Sequence, residues 1–325
     1  MTLKRVLIFI VFLVLTAGLV YLFSFSTEQE PTLTDDDYRQ AFHRNYKVFV
    51  ARMPDEIDFA GEEVPLDRFD VREGLDRELL VNSYWHSNTQ LMFKRAFRYF
   101  PVIDSILAVY DMPADFRYLA MIESGLQNVV SPAGARGFWQ FMKGTATELG
   151  LEINAQVDER YHLEKSTVAA CKYLREAKER FGSWTLASAA YNMGSSRTGR
   201  VLEDQQEDNY YDLYLNPETA RYVYRILAVK TIYGSPREYG FYFREKDFYP
   251  PLETKTVETD STEIDLVDFA KSHGVSYKIL TCAAATGRRP ARPPPFRLTI
   301  SRSTSSRPAS SALRAETGQR AIRSR

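Results

Sequence analysis

The sequence predicts a mainly α-helical domain that follows an N-terminal hydrophobic helix. Residues 6–23 form an uninterrupted run of 18 residues without a charged side chain. From about residue 79 to 233 one helical pattern follows another, and strand signals between 79 and 240 are sparse and short. The chain of 325 residues is long enough to bury one sizeable core besides such appendages.

The N-terminal run is long enough to cross a membrane. Eighteen helical residues at about 1.5 Å each span roughly 27 Å, close to the thickness of a bilayer's hydrocarbon core. Lys4 and Arg5 precede the run and acidic residues follow it, which predicts a cytoplasmic tip at 1–5 and a body outside the cytoplasm. A cleaved signal peptide is the alternative, although the run ends in bulky rather than small residues. Either interpretation places the protein in the cell envelope, on the periplasmic side.

Composition divides the rest of the chain. Residues 24–78 are acidic and weakly periodic, which predicts a stalk and a short lead-in, and the helical domain is expected at 79–245. A linker and a partial repeat are expected at 246–280. Residues 281–325 hold ten Arg and one acid, so the formal net charge of zero hides an acidic body and a basic tail. An acidic body gives no reason to expect nucleic-acid binding.

Cysteine and histidine are too few and too scattered for a disulfide framework or a metal site. The chain has two Cys and four His, and it contains no CxxC motif. Cys171 lies in a helical pattern and is predicted to be a small buried hydrophobe. We therefore expect no metal and no cofactor.

Turn and capping residues predict several helix boundaries. Pro113 and Asp115 indicate the start of a short helix, and Gly125 indicates its end. Ser166 is predicted to be the N-cap of a later helix, and Gly194 to end another.

The helix that starts near Asp115 carries the first catalytic candidate. Phe116, Leu119, Ala120 and Glu123 are spaced to share one face, and the helix is apolar nearly all round, which predicts a central position. Desolvation and the negative end of the helix dipole would both raise the pKa of Glu123, as a general acid requires. A carboxylate turned outward to solvent is the alternative.

A loop of small residues follows this helix and leads into an aromatic segment, Phe138-Trp139-Gln140-Phe141-Met142. Small residues allow a ligand to approach the backbone closely. Aromatic faces can stack on sugar rings, and the amide of Gln140 can pair with hydroxyl or acetamido groups. Core packing explains Phe138 and Trp139 equally well, but it does not explain the Gly/Ala loop beside them.

Four motifs occur in order along this part of the chain. They are Glu123-Ser124-Gly125, the stretch 131–146, Ala190-Tyr191-Asn192-Met193-Gly194 and Glu218-Thr219-Ala220-Arg221-Tyr222-Val223. Together they resemble the lytic transglycosylase domain, and they are most similar to the membrane-bound lytic transglycosylase D group. The resemblance covers about residues 64–233 and implies a goose-lysozyme-like helical fold with a substrate groove between lobes.

The resemblance also implies a function and a set of roles. The expected reaction is cleavage of peptidoglycan glycan strands between N-acetylmuramic acid and N-acetylglucosamine, leaving 1,6-anhydromuramyl ends. The implied roles are Glu123 as catalytic acid/base, Ser124 as its supporting partner, Gln140, Tyr191 and Asn192 as groove residues around the reacting sugar, and Tyr222 as the residue that closes the site. Val130, Lys143 and His162-Leu163 depart from the family pattern without touching this set.

Two other functions remain open from the sequence. Ordinary glycoside hydrolysis uses two carboxyl groups about 5–10 Å apart, and no Asp or Glu lies between Glu123 and Glu148. A hydrolytic muramidase would then need a distant acid such as Asp158 or Glu218. A non-catalytic peptidoglycan-binding protein is the alternative outside enzymes.

The C-terminal part changes character abruptly. Residues 261–280 resemble the first part of a LysM glycan-binding repeat, but this segment is too short for a whole one. From Thr281 onward Ala, Arg, Pro, Ser and Thr dominate, a composition that predicts disorder. Our hypothesis is a frameshifted or otherwise aberrant end, and a polybasic tail attracted to anionic envelope polymers is the alternative.

Overall fold

The chain divides into an N-terminal unit, Met1–Val50, and a second unit that begins at Ala51. The computed structural model describes residues 3–26, 34–44, 49–154, 157–259, 265–283 and 296–302. The N-terminal unit contains helix α1 (Leu3–Ser26) and helix α2 (Asp35–Arg44). Within the described part of the chain, no helix is both long and apolar enough to cross a membrane. The anchor at 6–23 therefore stays a prediction.

The second unit is built mainly of helices. They are α3 (Phe69–Tyr84), α4 (His86–Val109), α5 (Phe116–Ser124), α6 (Lys143–Glu148), α7 (Leu163–Phe181), α8 (Trp184–Met193), α9 (Ser195–Gln205), α10 (Pro217–Ala220), α11 (Tyr222–Gly234), α12 (Leu266–Ser272) and α13 (Tyr277–Ala283). Short 3₁₀ turns lie at Glu159–Tyr161, Tyr210–Asp212, Pro236–Tyr239 and Glu245–Asp247. The predicted predominance of helix is confirmed.

Two antiparallel strand pairs complete the described elements. Strand β1 (Asp58–Phe59) pairs with β2 (Glu62–Glu63) in a small hairpin before α3. Strand β3 (Glu253–Thr259) pairs with β4 (Phe296–Arg302), with Glu253 opposite Arg302 and Thr259 opposite Phe296.

The helical domain begins earlier than the sequence predicted. Helix α3 starts at Phe69, ten residues before the expected boundary at 79. The preceding hairpin and α3 contribute Phe59, Val71 and Leu75 to the main hydrophobic core, and all three are fully buried. Part of the expected lead-in therefore packs into the core of the helical domain, and Val71 and Leu75 lie four residues apart on one face of α3.

Helix α5 runs through the centre of this core, as its apolar pattern predicted. Phe116, Leu119 and Ala120 are fully buried. The helix ends at Gly125, whose φ of 60° is the left-handed conformation that glycine adopts without strain. Its start after Asp115 and its end at Gly125 are both confirmed.

The other boundary predictions divide. Gly194 ends α8, as predicted. Ser166 is not an N-cap, because α7 begins at Leu163 and the side chain of His162 accepts a hydrogen bond from the backbone N–H of Lys165. Ser166 lies one turn inside and donates to the carbonyl of His162 (2.8 Å). Cys171 is buried as predicted, and burial raises the pKa of its thiol to about 11.

Within the residues that the structure describes, the C-terminal segment departs from the expected disordered tail at two places, and the rest of 281–325 lies outside the described residues. Helix α13 continues past Thr281 to Ala283, and strand β4 lies within the region predicted to lack structure. A small separate cluster of Leu266, Ala270 and Leu280 packs here. The pairing of β4 with β3 over seven residues was missed because the flanking composition, rich in Arg and Pro, masks a short β-prone run.

Candidate active site

Glu123 lies in the last turn of α5, just before the Gly125 stop. Burial raises the pKa of its carboxyl group to about 7, and the nearby charge of Glu218 acts in the same direction. A hydrogen bond from Tyr222 and the positive charge of Arg225 oppose this rise without cancelling it. A carboxyl group that is protonated near neutrality can serve as a general acid.

Tyr222 reaches Glu123 from the first turn of α11. Its hydroxyl donates a hydrogen bond to Oε1 of Glu123, and the ring is almost completely buried. Burial and the charge of Glu123 raise the pKa of Tyr222 far above its usual range, so the hydroxyl stays protonated and remains a donor. The structure thus brings Tyr222 to the position beside Glu123 that the motif implied.

The break between α10 and α11 sets the direction of Tyr222. The hydroxyl of Tyr210 lies within hydrogen-bond distance of the carbonyl oxygens of Thr219 (2.8 Å) and Ala220 (2.9 Å), the last residues of α10. Asn216 caps α10 by accepting hydrogen bonds from the backbone N–H groups of Glu218 and Thr219. These contacts fix the turn from which α11 starts.

Ser124 ties the end of α5 to the small-residue loop. It is buried, and its hydroxyl lies 2.8 Å from the carbonyl oxygen of Phe138 and 3.2 Å from that of Ala120. A serine hydroxyl has one hydrogen to donate, and the shorter contact joins helix and loop. Ser124 therefore supports Glu123 through the backbone.

Gln140 holds the loop from within. Its Nε2 donates to the carbonyls of Gly137 (2.7 Å) and Val129 (3.2 Å), and its backbone has the left-handed φ of 50°. Such a φ is uncommon for a residue with a side chain and occurs where surrounding contacts enforce it. Both described amide contacts are to backbone, so binding of a sugar by this side chain stays a prediction.

Tyr191 and Asn192 lie at the end of α8 and contact different segments. The hydroxyl of Tyr191 donates to the carbonyl of Trp139 (2.7 Å) and so anchors the loop to α8. The amide of Asn192 accepts from the hydroxyl of Thr219 (2.7 Å) and donates to Oε1 of Glu218 (3.4 Å). The two residues link α8 to the loop and to α10, the two segments that flank Glu123.

A buried ion pair clamps the same loop from its other side. Nε and a terminal nitrogen of Arg160 donate to the two carboxylate oxygens of Asp158 (2.8 and 2.7 Å). Arg160 also donates to the carbonyls of Gly134 (3.3 Å) and Phe141 (3.2 Å). A side chain at Gly137, where φ is 81°, would place Cβ 1.8 Å from the carbonyl oxygen of Arg160. Glycine is therefore required there.

Sequence reasoning missed the residues on the α3 side of Glu123. Here a cavity lies against α3, the start of α4, the end of α5 and the α10–α11 turn, and of the predicted site residues Ser124 lines it. Glu78, which is 1% exposed, accepts hydrogen bonds in this wall from Nε (2.7 Å) and a terminal nitrogen (3.3 Å) of Arg221. Arg221 lies within the last recognised motif, whereas nothing in the sequence distinguishes Glu78 from a surface acid on an amphipathic helix.

Residues 106–214 match the family model of the transglycosylase SLT domain. Two curated relatives are 30% identical over 193 residues: membrane-bound lytic murein transglycosylase D of Escherichia coli strain K12 and of strain O6:H1 CFT073. The alignment covers 56% of this chain and 41% of each relative, so the chain spans about two fifths of their length.

Among solved structures, an inactive mutant of the lytic transglycosylase Slt from Pseudomonas aeruginosa is similar at 23% identity. The match covers 43% of this chain and 24% of that chain, with a TM-score of 0.36. The family model confirms the predicted resemblance and the mainly helical, lysozyme-like class of fold. Its matched segment contains Glu123, Ser124, Gln140, Tyr191 and Asn192, and Tyr222 lies beyond its end.

Proposed function

We propose that this chain is a peptidoglycan lytic transglycosylase in which Glu123 is the catalytic acid and base. The observation that carries this proposal is the state of Glu123, whose burial raises its pKa to about 7 within a matched transglycosylase domain. The names of the curated relatives, which describe them as lytic murein transglycosylases, support the substrate class. No cofactor is needed for this reaction.

The proposed reaction uses the single carboxyl group twice. Protonated Glu123 donates its proton to the glycosidic oxygen between N-acetylmuramic acid and N-acetylglucosamine, and the bond to C1 breaks while the muramyl acetamido oxygen stabilises C1. The resulting carboxylate removes the proton of the muramyl 6-hydroxyl, whose oxygen bonds to C1. The product carries a 1,6-anhydro ring, and Glu123 has regained its proton. No water is consumed.

Tyr222 has a defined task in both half-reactions. Its hydrogen bond favours the ionised form of Glu123, whereas burial favours the protonated form. The two effects keep the pKa close to neutrality, so that proton donation and proton recovery are both accessible. A pKa near the working pH is the most effective setting for a group that must do both.

A hydrolytic muramidase is the second candidate function. One observation supports Glu218 as the second carboxyl group that hydrolysis would require. Glu218 is exposed and close enough to Glu123 to raise the pKa of that group. Asp158 is the weaker candidate for this role, because it is held by Arg160 and by Arg136 (3.1 Å).

Product analysis distinguishes the candidates. Purified sacculi are digested, and the released fragments are examined by mass spectrometry. Anhydro ends support the transglycosylase, reducing ends that are heavier by one water support the muramidase, and absence of fragments supports a binding protein. Glu218→Gln sharpens this test, because it should abolish hydrolysis but leave most anhydro-forming activity.

The envelope location and the C-terminal segment are proposals of the same kind. The uncharged run 6–23 behind Lys4 and Arg5 supports an anchor that holds the catalytic domain outside the cytoplasm. The LysM-like resemblance of residues 261–280 supports a glycan-binding role for the segment from β3 to β4. Deletion of residues 253–325 should then weaken binding to sacculi and leave the rate on soluble fragments unchanged, and equal binding by both forms would contradict this role.

A further inference from the structure

The cavity on the α3 side of Glu123 has the size and position of a ligand site. Its volume is about 450 Å³, within the range of about 300–1,000 Å³ that is usual for ligand pockets. Ile122, Ser124 and Gly125 form part of its wall, so it adjoins the catalytic residue on both sides along the chain.

Trp85 lines this cavity with an unusually exposed aromatic face. It is 58% exposed, although large apolar side chains are normally covered. Trp85 joins α3 to α4. Its backbone N–H donates to the carbonyl of Val81 (2.9 Å), and its backbone carbonyl accepts from the N–H of Thr89 (3.1 Å). The backbone that carries the indole is therefore held by a helix on each side.

The charged groups of the cavity wall are largely satisfied within the protein. Arg221 is engaged by the carboxylate of Glu78, and Arg225 donates to the carbonyl of Ile122 (3.0 Å). The wall also carries the amides of Asn88 and Gln127, whose side-chain contacts are long: Nδ2 of Asn88 lies 3.9 Å from Sδ of Met92, and Nε2 of Gln127 lies 3.5 Å from the carbonyl oxygen of Ser124. An amide can both donate and accept, which suits a neutral polar ligand better than an anion.

We propose that this cavity is a saccharide subsite for a neutral N-acetylated sugar of the glycan strand, with Trp85 stacking on the ring. The C–H face of a pyranose carries slight positive charge and fits the negative face of an indole. Asn88 and Gln127 would pair with hydroxyl or acetamido groups of the same sugar. This inference rests on the proposed function, which identifies the ligand as a peptidoglycan glycan strand. It goes further by assigning the place where that strand continues beyond the cleaved bond.

Fluorescence quenching tests binding apart from cleavage. The probe is a β-1,4-linked tetramer of N-acetylglucosamine added to the Glu123→Gln variant, with acrylamide as quencher. Trp139 is fully buried and Trp184 is half-buried, so the exposed Trp85 should dominate quenching. The tetramer should reduce it, and Glu123→Gln/Trp85→Phe should lack this protected component. Unchanged quenching at saturating tetramer would overturn the subsite.

Kinetics on soluble glycan fragments give the second readout. Trp85→Ala should raise KM by about five- to tenfold and leave kcat within about twofold, because it removes binding that is equal in ground and transition states. Trp85→Phe should recover most of the loss. The matched control is Tyr214→Ala, an aromatic residue that is 90% exposed and is not among those lining the cavity.

The two proposals fail separately. A Trp85→Ala enzyme with the KM of the wild type would overturn the subsite while leaving the role of Glu123 untouched. If Glu123→Gln keeps its activity, the proposed function is wrong, and protection of Trp85 by the tetramer would still support a saccharide site.

Discussion

Glu123 and Asp158 are two acidic side chains withdrawn from solvent in the same helical domain, and their surroundings move their pKa values in opposite directions. Burial raises both. At Asp158 the hydrogen bonds and charge of Arg160, with Arg136 nearby, outweigh burial and leave the pKa below its usual value. At Glu123 a tyrosine hydroxyl and a more distant arginine do not compensate, and the pKa stays near 7.

The difference shows what separates a structural carboxylate from the proposed catalytic one in this domain. Asp158 has a lowered pKa and binds Arg160 through its carboxylate, and Arg160 in turn donates to the carbonyls of Gly134 and Phe141. Glu123 exchanges its proton near neutrality because its charged form is only partly stabilised. The neighbours of the two carboxyl groups therefore differ in charge: Asp158 lies beside two arginines, whereas Glu123 accepts a hydrogen bond from the neutral hydroxyl of Tyr222.

The largest expected effect is on activity at Glu123. Glu123→Gln keeps the shape of the side chain but cannot donate and recover a proton, so cleavage should fall by about 10²–10⁴-fold or more. Release of fragments from sacculi measures it, and Glu148→Gln, at an exposed position on α6, is the matched control. Activity of Glu123→Gln within about threefold of the wild type would contradict the assignment.

The same variant should change the pH dependence of stability. The pKa of Glu123 is higher in the folded state than the ordinary glutamate value of 4.5, so folding is favoured while the group is protonated. This contribution to stability is lost as the pH rises from 4.5 through about 7. In Glu123→Gln this pH-dependent loss of stability is absent, because the amide does not titrate. Its melting temperature relative to that of the wild type should therefore increase between pH 5 and pH 8, whereas a constant difference would show that Glu123 is not desolvated.

At Asp158 the expected effect is on folding. Arg160→Met leaves a buried carboxylate without its main partner, which should lower the free energy of unfolding by about 3–5 kcal/mol. Arg52→Met, in an exposed pair with Glu238, should cost no more than about 1 kcal/mol. Urea denaturation compares the two, and equal costs would mean that the clamp on the loop adds nothing to stability.

A smaller effect is expected from Tyr222. Tyr222→Phe removes the hydrogen bond that lowers the pKa of Glu123, so that pKa should rise. Activity that depends on the protonated form of Glu123 falls as pH rises through its pKa. The midpoint of this fall should shift to a higher pH by about one to two units, which corresponds to the loss of a hydrogen bond to a charged group. Tyr239→Phe, which loses a bond from a tyrosine hydroxyl to the carbonyl of Arg52 (2.8 Å), should leave the midpoint in place.

The smallest effects are expected at the end of α8. Tyr191→Phe releases the carbonyl of Trp139, and Asn192→Ala releases Thr219, so each should slow turnover by about tenfold or less without unfolding the domain. Tyr173→Phe is a matched control, because it also loses a bond from a tyrosine hydroxyl to a carbonyl, that of Ala190 (2.7 Å). A loss of cooperative melting with unchanged specific activity would make Tyr191 and Asn192 structural.

Much of this organisation was predictable from local sequence. The apolar pattern of α5, its stop at Gly125 and the position of Glu123 in its last turn follow from helix periodicity and glycine's backbone freedom. The ordered motifs were sufficient to predict the lysozyme-like fold. Features set by long-range packing were less accessible, as the burial of Phe59 in the main core and the pairing of β4 with β3 illustrate.

The sequence by itself determined that a glutamate would lie at the end of a buried helix beside a loop of small residues. Only the tertiary structure decided that the hydroxyl of Tyr222, 99 positions later, donates a hydrogen bond to this glutamate. It also decided that the guanidinium of Arg160 binds Asp158. It also placed Trp85 and the Glu78–Arg221 pair along a cavity next to Glu123. The physical reason is that a pKa depends on which donors and charges surround a group in space, and chain order does not specify those neighbours.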